Sequence, residues 1–274
     1  VHPADSAQVY VAGGVGVAWT TDDGANWSVS SSFPGNGAGL SALTTDVTYD
    51  PFDPDYQLAG TASNGVYRNT TPGGTAYTQQ VLGMNATNIR AVAAGPGNRL
   101  HAGVGDAFGA TFASFLSTDP ASIVWGPGYT GLEADQLRAL EIDPNDSDVV
   151  YGGGAFSPRS DGAGGFVNGN GGIYRSVDGG VTWSTRDNGI PLDAGFFDRS
   201  QFGTVRTFSI DPTSQAGGIG ASQELLVGGS GRWIADDCTL PAPTLTKLSA
   251  SLFVSTDAGA NWTPSDVGIS DVAE

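Results

Sequence analysis

The chain has 274 residues, among them 42 Gly and 15 Pro, and only 14% are charged; this length buries a sizeable core, and the composition favours many short strands joined by tight turns over a helical bundle. Its net charge of −17 is carried by Asp far more than Glu, with ten Arg and a single lysine, Lys247, which disfavours nonspecific binding to nucleic acid and to anionic membrane. The one cysteine, Cys238, excludes an internal disulfide framework and a cysteine metal cluster, and no run approaches the roughly 18 apolar residues of a membrane span.

Read from the N-terminus, the chain repeats itself, and a repeat decides architecture before any single motif does. After a His2-Pro3 turn and the β-rich stretch QVYVAGG comes Thr20-Thr21-Asp22-Asp23-Gly24-Ala25-Asn26-Trp27, of the form Ser/Thr-x-Asp-x-Gly-x-x-Trp. The second unit offers Asp50-Pro51, YQLAG and a decayed copy from Asn69 to Tyr77; the third offers Gly95-Pro96, RLHAG and Ser117-Thr118-Asp119 leading to Trp125. The fourth begins with the alternating stretch Arg138 to Ile142, then Asp143-Pro144, VVYGGG and Ser176-Val177-Asp178-Gly179-Gly180-Val181-Thr182-Trp183. The fifth runs from Arg206 to Ile210, then Asp211-Pro212, ELLVGG and Ser255-Thr256-Asp257-Ala258-Gly259-Ala260-Asn261-Trp262. Leu140 and Ile142, like Phe208 and Ile210, fall on one face of a strand.

Each unit reads strand, Pro turn, strand, Gly turn, strand, Asp hairpin, strand, over 1–45, 46–88, 89–136, 137–204 and 205–274. Four-stranded antiparallel units recurring at roughly 45 to 70 residues predict an all-β fold, a β-propeller of five blade units, because one such sheet cannot bury both faces alone. Extra length at 156–172 and 230–247, rich in Gly, Pro and Asp, reads as surface excursions. Asp271 to Glu274 match the start of a first strand and Val1-His2-Pro3 its end. Two expectations follow: the C-terminal strand completes the first unit and closes the ring, removing exposed edges, or the 274 residues were cut from a longer array.

The three full copies resemble Asp-boxes, also called BNR repeats, of sialidases, xyloglucan-active glycoside hydrolases and sortilin-type receptors. The resemblance spans all five units, clearly in three and weakly in two. It implies a propeller in an extracellular or cell-surface setting and implies little about a reaction, since function lives in sites grafted onto folds. Asp22, Gly24 and Trp27, Asp178, Gly180 and Trp183, and Asp257, Gly259 and Trp262 are expected to build hairpins. Asp and Ser or Thr accept hydrogen bonds from the turn amides, Gly supplies the positive φ, and Trp packs beneath.

A sialidase-like site would set three arginines on a substrate carboxylate, explained by bidentate guanidinium contacts, beside a Tyr nucleophile paired with Glu and an Asp acid. Arg90, Arg138 and Arg206 each stand six residues before the turn proline of their unit, a position near the start of successive inner strands, at the mouth of a propeller channel. The Arg-Ile-Pro motif is absent, and none of Glu133, Glu141, Glu224 and Glu274 has a Tyr-Glu setting, so the competing expectation is an Arg that braces neighbouring blades. A glycosidase without the triad still needs two carboxylates across the scissile bond; Asp46, Asp135, Asp193, Asp198 and Asp271 lie in or beside segments leading into inner strands.

No metal and no cofactor are expected. His2 and His101 are not in ligand spacing, and DPNDSD at 143–148 reads as a turn, because the twelfth position of a calcium loop would be Gly154. The favoured reading is a secreted, non-catalytic binding or structural module, meeting glycans, other extracellular proteins or itself. The alternative is a glycoside hydrolase, sialidase-like or xyloglucanase-like, working through Asp carboxylates with the three arginines as substrate ligands.

Overall fold

In β-strand segments such as 137–143, Leu140 and Ile142 are buried while Glu141 between them is exposed, the two-residue period of a strand with one covered face. In a computed structural model of the chain, such strands form four four-stranded antiparallel sheets and one three-stranded sheet. The structure describes residues 1–2, 4–14, 16–30, 33, 43–49, 57–69, 76–95, 99–105, 114–117, 122–132, 134, 136–155, 157–160, 166–169, 172–190, 192–193, 199–200, 202–231, 233–235, 245–247 and 252–265.

The first sheet holds β1 (Val9–Gly13), β2 (Gly16–Thr20) and β3 (Ser28–Ser30). The second holds β4 (Thr44–Tyr49), β5 (Gln57–Thr61), β6 (Gly65–Asn69) and β7 (Thr78–Gln80). The third holds β8 (Ile89–Gly95), β9 (Arg99–Val104), β10 (Ser114–Ser117) and β11 (Gly126–Pro127). The fourth begins with β12 (Leu137–Asp143) and β13 (Asp146–Gly154); the hairpin β14 (Ser157–Ser160) and β15 (Phe166–Gly169) intervenes before β16 (Gly172–Ser176) and β17 (Ser184–Thr185) complete it. A hairpin of β18 (Leu192–Asp193) and β19 (Arg199–Ser200) leads to the fifth, which begins with β20 (Phe202–Ile210) and β21 (Leu225–Gly231). A third hairpin, β22 (Trp233–Ala235) and β23 (Leu245–Lys247), precedes β24 (Leu252–Ser255) and β25 (Thr263–Pro264). The two long excursions thus each contain a two-stranded hairpin.

Successive sheets pack through their first strands, β4 on β8, β8 on β12 and β12 on β20, with β1 against β4. That arrangement makes them the blades of a β-propeller. Each junction has its own apolar cluster. Tyr10, Trp19, Phe33 and Tyr67 fill the first, and Leu58, Ile89, Leu100 and Trp125 the second. Leu137, Leu140, Tyr174 and Trp183 fill the third, and Tyr151, Val205, Phe253 and Trp262 the fourth. A polar clasp reinforces the fourth junction, where buried Asp143 accepts hydrogen bonds from the amide of Ser222 at 2.8 Å and its hydroxyl at 3.1 Å. Residues 143–148 therefore form a turn tied to the next blade.

The Asp hairpins join the last two strands of their sheets and share one hydrogen-bond plan. Thr20, Ser176 and Ser255 accept the amides of Gly24, Gly180 and Gly259 at 3.0, 2.8 and 2.9 Å. Asp22, Asp178 and Asp257 accept the amides of Asn26, Thr182 and Asn261, each at 2.8 Å, and their side chains at 2.6 Å. Gly24, Gly180 and Gly259 have φ of 87°, 85° and 77°, the left-handed region in which a Cβ is unfavourable. Trp183 and Trp262 are buried beneath their turns, but Trp27 is 48% exposed, which departs from the expectation of a packed indole there. Residues 70–75 and 118–121 of the decayed copies, Cys238, and the C-terminal residues 271–274 expected to complete the first unit lie outside the described residues.

Candidate functional site

Strands β4, β8, β12 and β20 share an irregularity at one place. Each pairs with its neighbour on either side of a single extra residue: Thr45 in β4, Arg90 in β8, Arg138 in β12 and Arg206 in β20. These four residues are the inserted members of β-bulges, a device that bends a strand and re-aims a side chain. The three arginines and Thr45 line one cavity of about 510 Å³, together with Asp46, Glu141 and Phe208 among others. The three arginines singled out in the sequence are thus among the residues that line this cavity.

Each arginine is held differently. The Nε and Nη2 of Arg138 donate to the Gln136 side-chain oxygen at 2.9 and 2.6 Å, which fixes the plane of the guanidinium. The stem of Arg90 lies across Gly105, where a Cβ would overlap it, and its Nε is buried without a hydrogen-bond partner. Arg206 is exposed.

Two carboxylates line the same cavity. Asp46 accepts the amides of Val47 and Val92, both at 2.9 Å, and Thr45 donates its hydroxyl to the carbonyl of Ile89 at 2.7 Å. The pair so satisfies backbone groups of the adjacent bulge and ties the second blade to the third. Burial pushes the Asp46 carboxyl up to about 6 against the pull of its two amide donors. Glu141 also borders a smaller cavity of about 170 Å³. It is solvent-accessible, and residues of β4, β8 and β12 surround it. That enclosure, and then the charge of Asp46, push it up to about 7. Near neutrality Glu141 can therefore hold or release a proton, while Asp46 has a hydrogen bond to protein on each oxygen.

The other predicted carboxylates divide between the β18–β19 hairpin and positions outside the described residues. Asp193 stands opposite Arg199 in the strand register of the β18–β19 hairpin, and Asp135, Asp198, Asp271 and Glu133 lie outside the described residues. His101 is wholly buried in β9 under Gly180 of the next blade's Asp turn, with both ring nitrogens unpartnered. Among the described residues, no group of three or more His, Cys, Asp and Glu side chains could hold a metal ion, and no helix is long and apolar enough to cross a membrane.

No protein-family model matches the chain, and no curated protein matches it in sequence. Solved structures do match in shape. An ancestral GH74 enzyme superposes with a TM-score of 0.61 at 17% identity, covering 98% of this chain and 31% of that one. The GH74 xyloglucanase from Xanthomonas campestris gives 0.58 at 19%, covering 96% and 37%. The extracellular domain of a putative one-component system from B. thetaiotaomicron gives 0.52 at 15%, covering 89% and 26%. At such identities the likeness establishes the propeller fold alone, and the chain spans about a third of the length of the GH74 chains it matches.

Proposed function

We propose that the chain is a glycan-handling propeller of the glycoside-hydrolase kind, working outside the cell, with the arginine-rimmed cavity as its ligand site. One observation carries this reading: three bulge arginines from successive blades and two carboxylates with raised proton affinity converge on a single cavity. Arginine supplies bidentate donors for carboxylate or hydroxyl groups of a saccharide. Glu141, half-protonated near pH 7, is suited to protonate a leaving-group oxygen, the role of the raised-pKa member of a glycosidase pair. The GH74 likenesses support this class, and the xyloglucanase among them makes xyloglucan the first polymer to test.

A second reading keeps the site but removes the chemistry. Asp46 is bonded to two amides that hold blades together, and a carboxylate so engaged suits a binding module. Glutamine at position 141 separates the two. Reducing-sugar release from xyloglucan, other β-glucans and chromogenic sialosides is measured for the parent chain and for Glu141→Gln, with glycan binding followed by calorimetry. Turnover lost in Glu141→Gln with binding retained establishes the hydrolase; binding without turnover in either protein establishes the module. Neither turnover nor binding across the panel, with Arg138→Ala indistinguishable from the parent, would sink both.

A further inference from the structure

Three of the chain's ten arginines stand on one cavity wall, in a chain whose net charge is −17. The charged residues of that wall, among the described residues, are Asp46 on β4, Arg90 on β8, Arg138 and Glu141 on β12 and Arg206 on β20. Neither Arg90 nor Arg206 makes an ion pair with a carboxylate among the described residues, and the Nε of Arg90 is buried without a hydrogen-bond partner. Three arginines against two carboxylates leave the wall one positive charge in excess, and two once Glu141 is protonated. The cavity is thus locally cationic in a protein that is acidic as a whole, an arrangement that draws anions to one place.

The two carboxyls on that wall are held differently. Each oxygen of Asp46 accepts a backbone amide, one from Val47 and one from Val92 of the next blade, and such bonds favour its ionised form. No hydrogen bond from a described residue holds the Glu141 carboxyl. Thr48, Val92 and Leu140 line both the larger and the smaller cavity together with Glu141, and the other residues of the smaller one carry no charge. Tyr49, the second titratable group there, is kept a neutral phenol by burial. Of the two carboxyls, Glu141 is the one that can change charge without breaking a bond between blades.

We infer that an acidic saccharide enters this cavity together with a proton, the arginines holding its carboxylate or sulfate group and Glu141 carrying the proton. The inference rests on the glycan reading of the same cavity and narrows its ligand class. An anion inside a cavity of about 510 Å³ lies within roughly a Debye length of the wall, so salt screens its interactions there only weakly. The planar guanidiniums match its oxygens and attract it, whereas an ionised Glu141 repels it. Binding therefore favours the protonated carboxyl, and the proton comes from solvent. Burial, and then Asp46, already bring Glu141 to about 7, so the exchange falls in the neutral range. The proton taken up then sits on the group suited to protonate a leaving-group oxygen. A neutral saccharide brings no charge that selects between the two forms.

Calorimetry of the full chain tests this with tetragalacturonate, a sulfated tetragalactose and neutral cellotetraose, none of which titrates between pH 6 and pH 8. At pH 7, in two buffers of unlike ionisation enthalpy, an acidic ligand is expected to bind with uptake of about half a proton, because Glu141 is half-protonated there. Its affinity should fall about tenfold from pH 6 to pH 8 as Glu141 ionises. Tighter binding of the uronate assigns the anion to a carboxylate and tighter binding of the sulfated sugar to a sulfate; either supports the inference. Glu141→Gln should abolish the uptake and bind at pH 8 as tightly as the parent does at pH 6, which a merely structural role for Glu141 would not produce. Acidic and neutral sugars bound equally well, or acidic sugars bound without proton uptake, overturn the inference and leave the glycan reading standing. Uptake that persists in Glu141→Gln also overturns it, and no binding of any of the three sugars overturns both.

Discussion

The two ends of a blade carry two repeated polar constellations, and they use their hydrogen bonds in opposite ways. At the Asp hairpins the carboxylates of Asp22, Asp178 and Asp257 are saturated within five residues of chain. These contacts hold Asp22 down at about 2, chiefly through the Asn26 side chain, and keep Asp178 and Asp257 low as well. At the inner bulges the repeated residue is the inserted one and lines a cavity, and the neighbouring carboxyls are pushed up instead of down. Repetition is common to both ends, so repetition alone does not mark a site. What distinguishes them is enclosure: the Asp22 carboxylate sits at the surface, whereas desolvation dominates at Asp46 and Glu141.

That contrast is most easily broken at the outer end, where the largest effect is expected. Trp262→Ala removes a 2% exposed indole that fills the junction between the fourth and fifth blades and donates to Arg186. A loss of about 3–5 kcal/mol is expected for such a truncation, read as the urea midpoint. Trp27→Ala, at an indole already 48% exposed, should cost clearly less in the same assay. Asp178→Ala comes next. It strips acceptors from the Thr182 amide and from the hydroxyls of Thr182 and Ser176, at about 1–3 kcal/mol, and should leave saccharide affinity of the folded fraction unchanged. A large loss of affinity there would mean that the hairpins belong to the site.

Acid separates the core from the channel. Burial, and then Arg99, push His101 down to about 3 from its ordinary 6.5. Between those values the unfolded chain binds the extra proton, so this residue stabilises the fold fully above about pH 6.5 and progressively less as pH falls, by up to about 1.4 kcal/mol per pH unit. Asp46 and Glu141 act in the opposite sense. Their raised values mean that the folded state holds protons the unfolded chain has lost, so their contribution is present at low pH and disappears as pH rises through about 6 to 7. His101→Leu should therefore flatten the fall of Tm between pH 6.5 and 4.5, and Glu141→Gln should steepen the net fall. Identical pH profiles for parent and His101→Leu would show that the buried ring carries no such linkage.

Much of this was legible in the sequence. The strand order of the blades, the hairpin role of the Asp motif and the gathering of Arg90, Arg138 and Arg206 all follow from a repeat kept in phase. Glu141 was passed over because it was sought in a Tyr-Glu setting, whereas its proton affinity comes from enclosure by other blades, which no local pattern encodes. The bulges did leave a trace. Arg90, Arg138 and Arg206 stand in strict alternation with Val92, Leu140 and Phe208, all buried at 3% to 7% exposure. Plain pleating would push three guanidiniums into apolar junctions, and an inserted residue at each one removes that conflict. Trp27 left no such trace: its hairpin repeats the hydrogen bonds of the other two, yet its indole is 48% exposed.

The smallest expected change in stability is also the sharpest test of the inner end. Arg206 is exposed, and as the inserted residue of its bulge it contributes no pairing of its own to the β20–β21 register. Arg206→Ala should therefore move stability by no more than about 0.5 kcal/mol, the range of surface substitutions away from special features. If the cavity takes a saccharide through its arginine rim, the same substitution weakens binding by roughly tenfold, the size of one charge-assisted hydrogen bond. The Asp hairpins predict the reverse combination, stability lost and affinity kept. An Arg206→Ala chain that loses stability while binding as the parent does would make the arginine a brace between blades, and the two ends of the blade would then differ in position only.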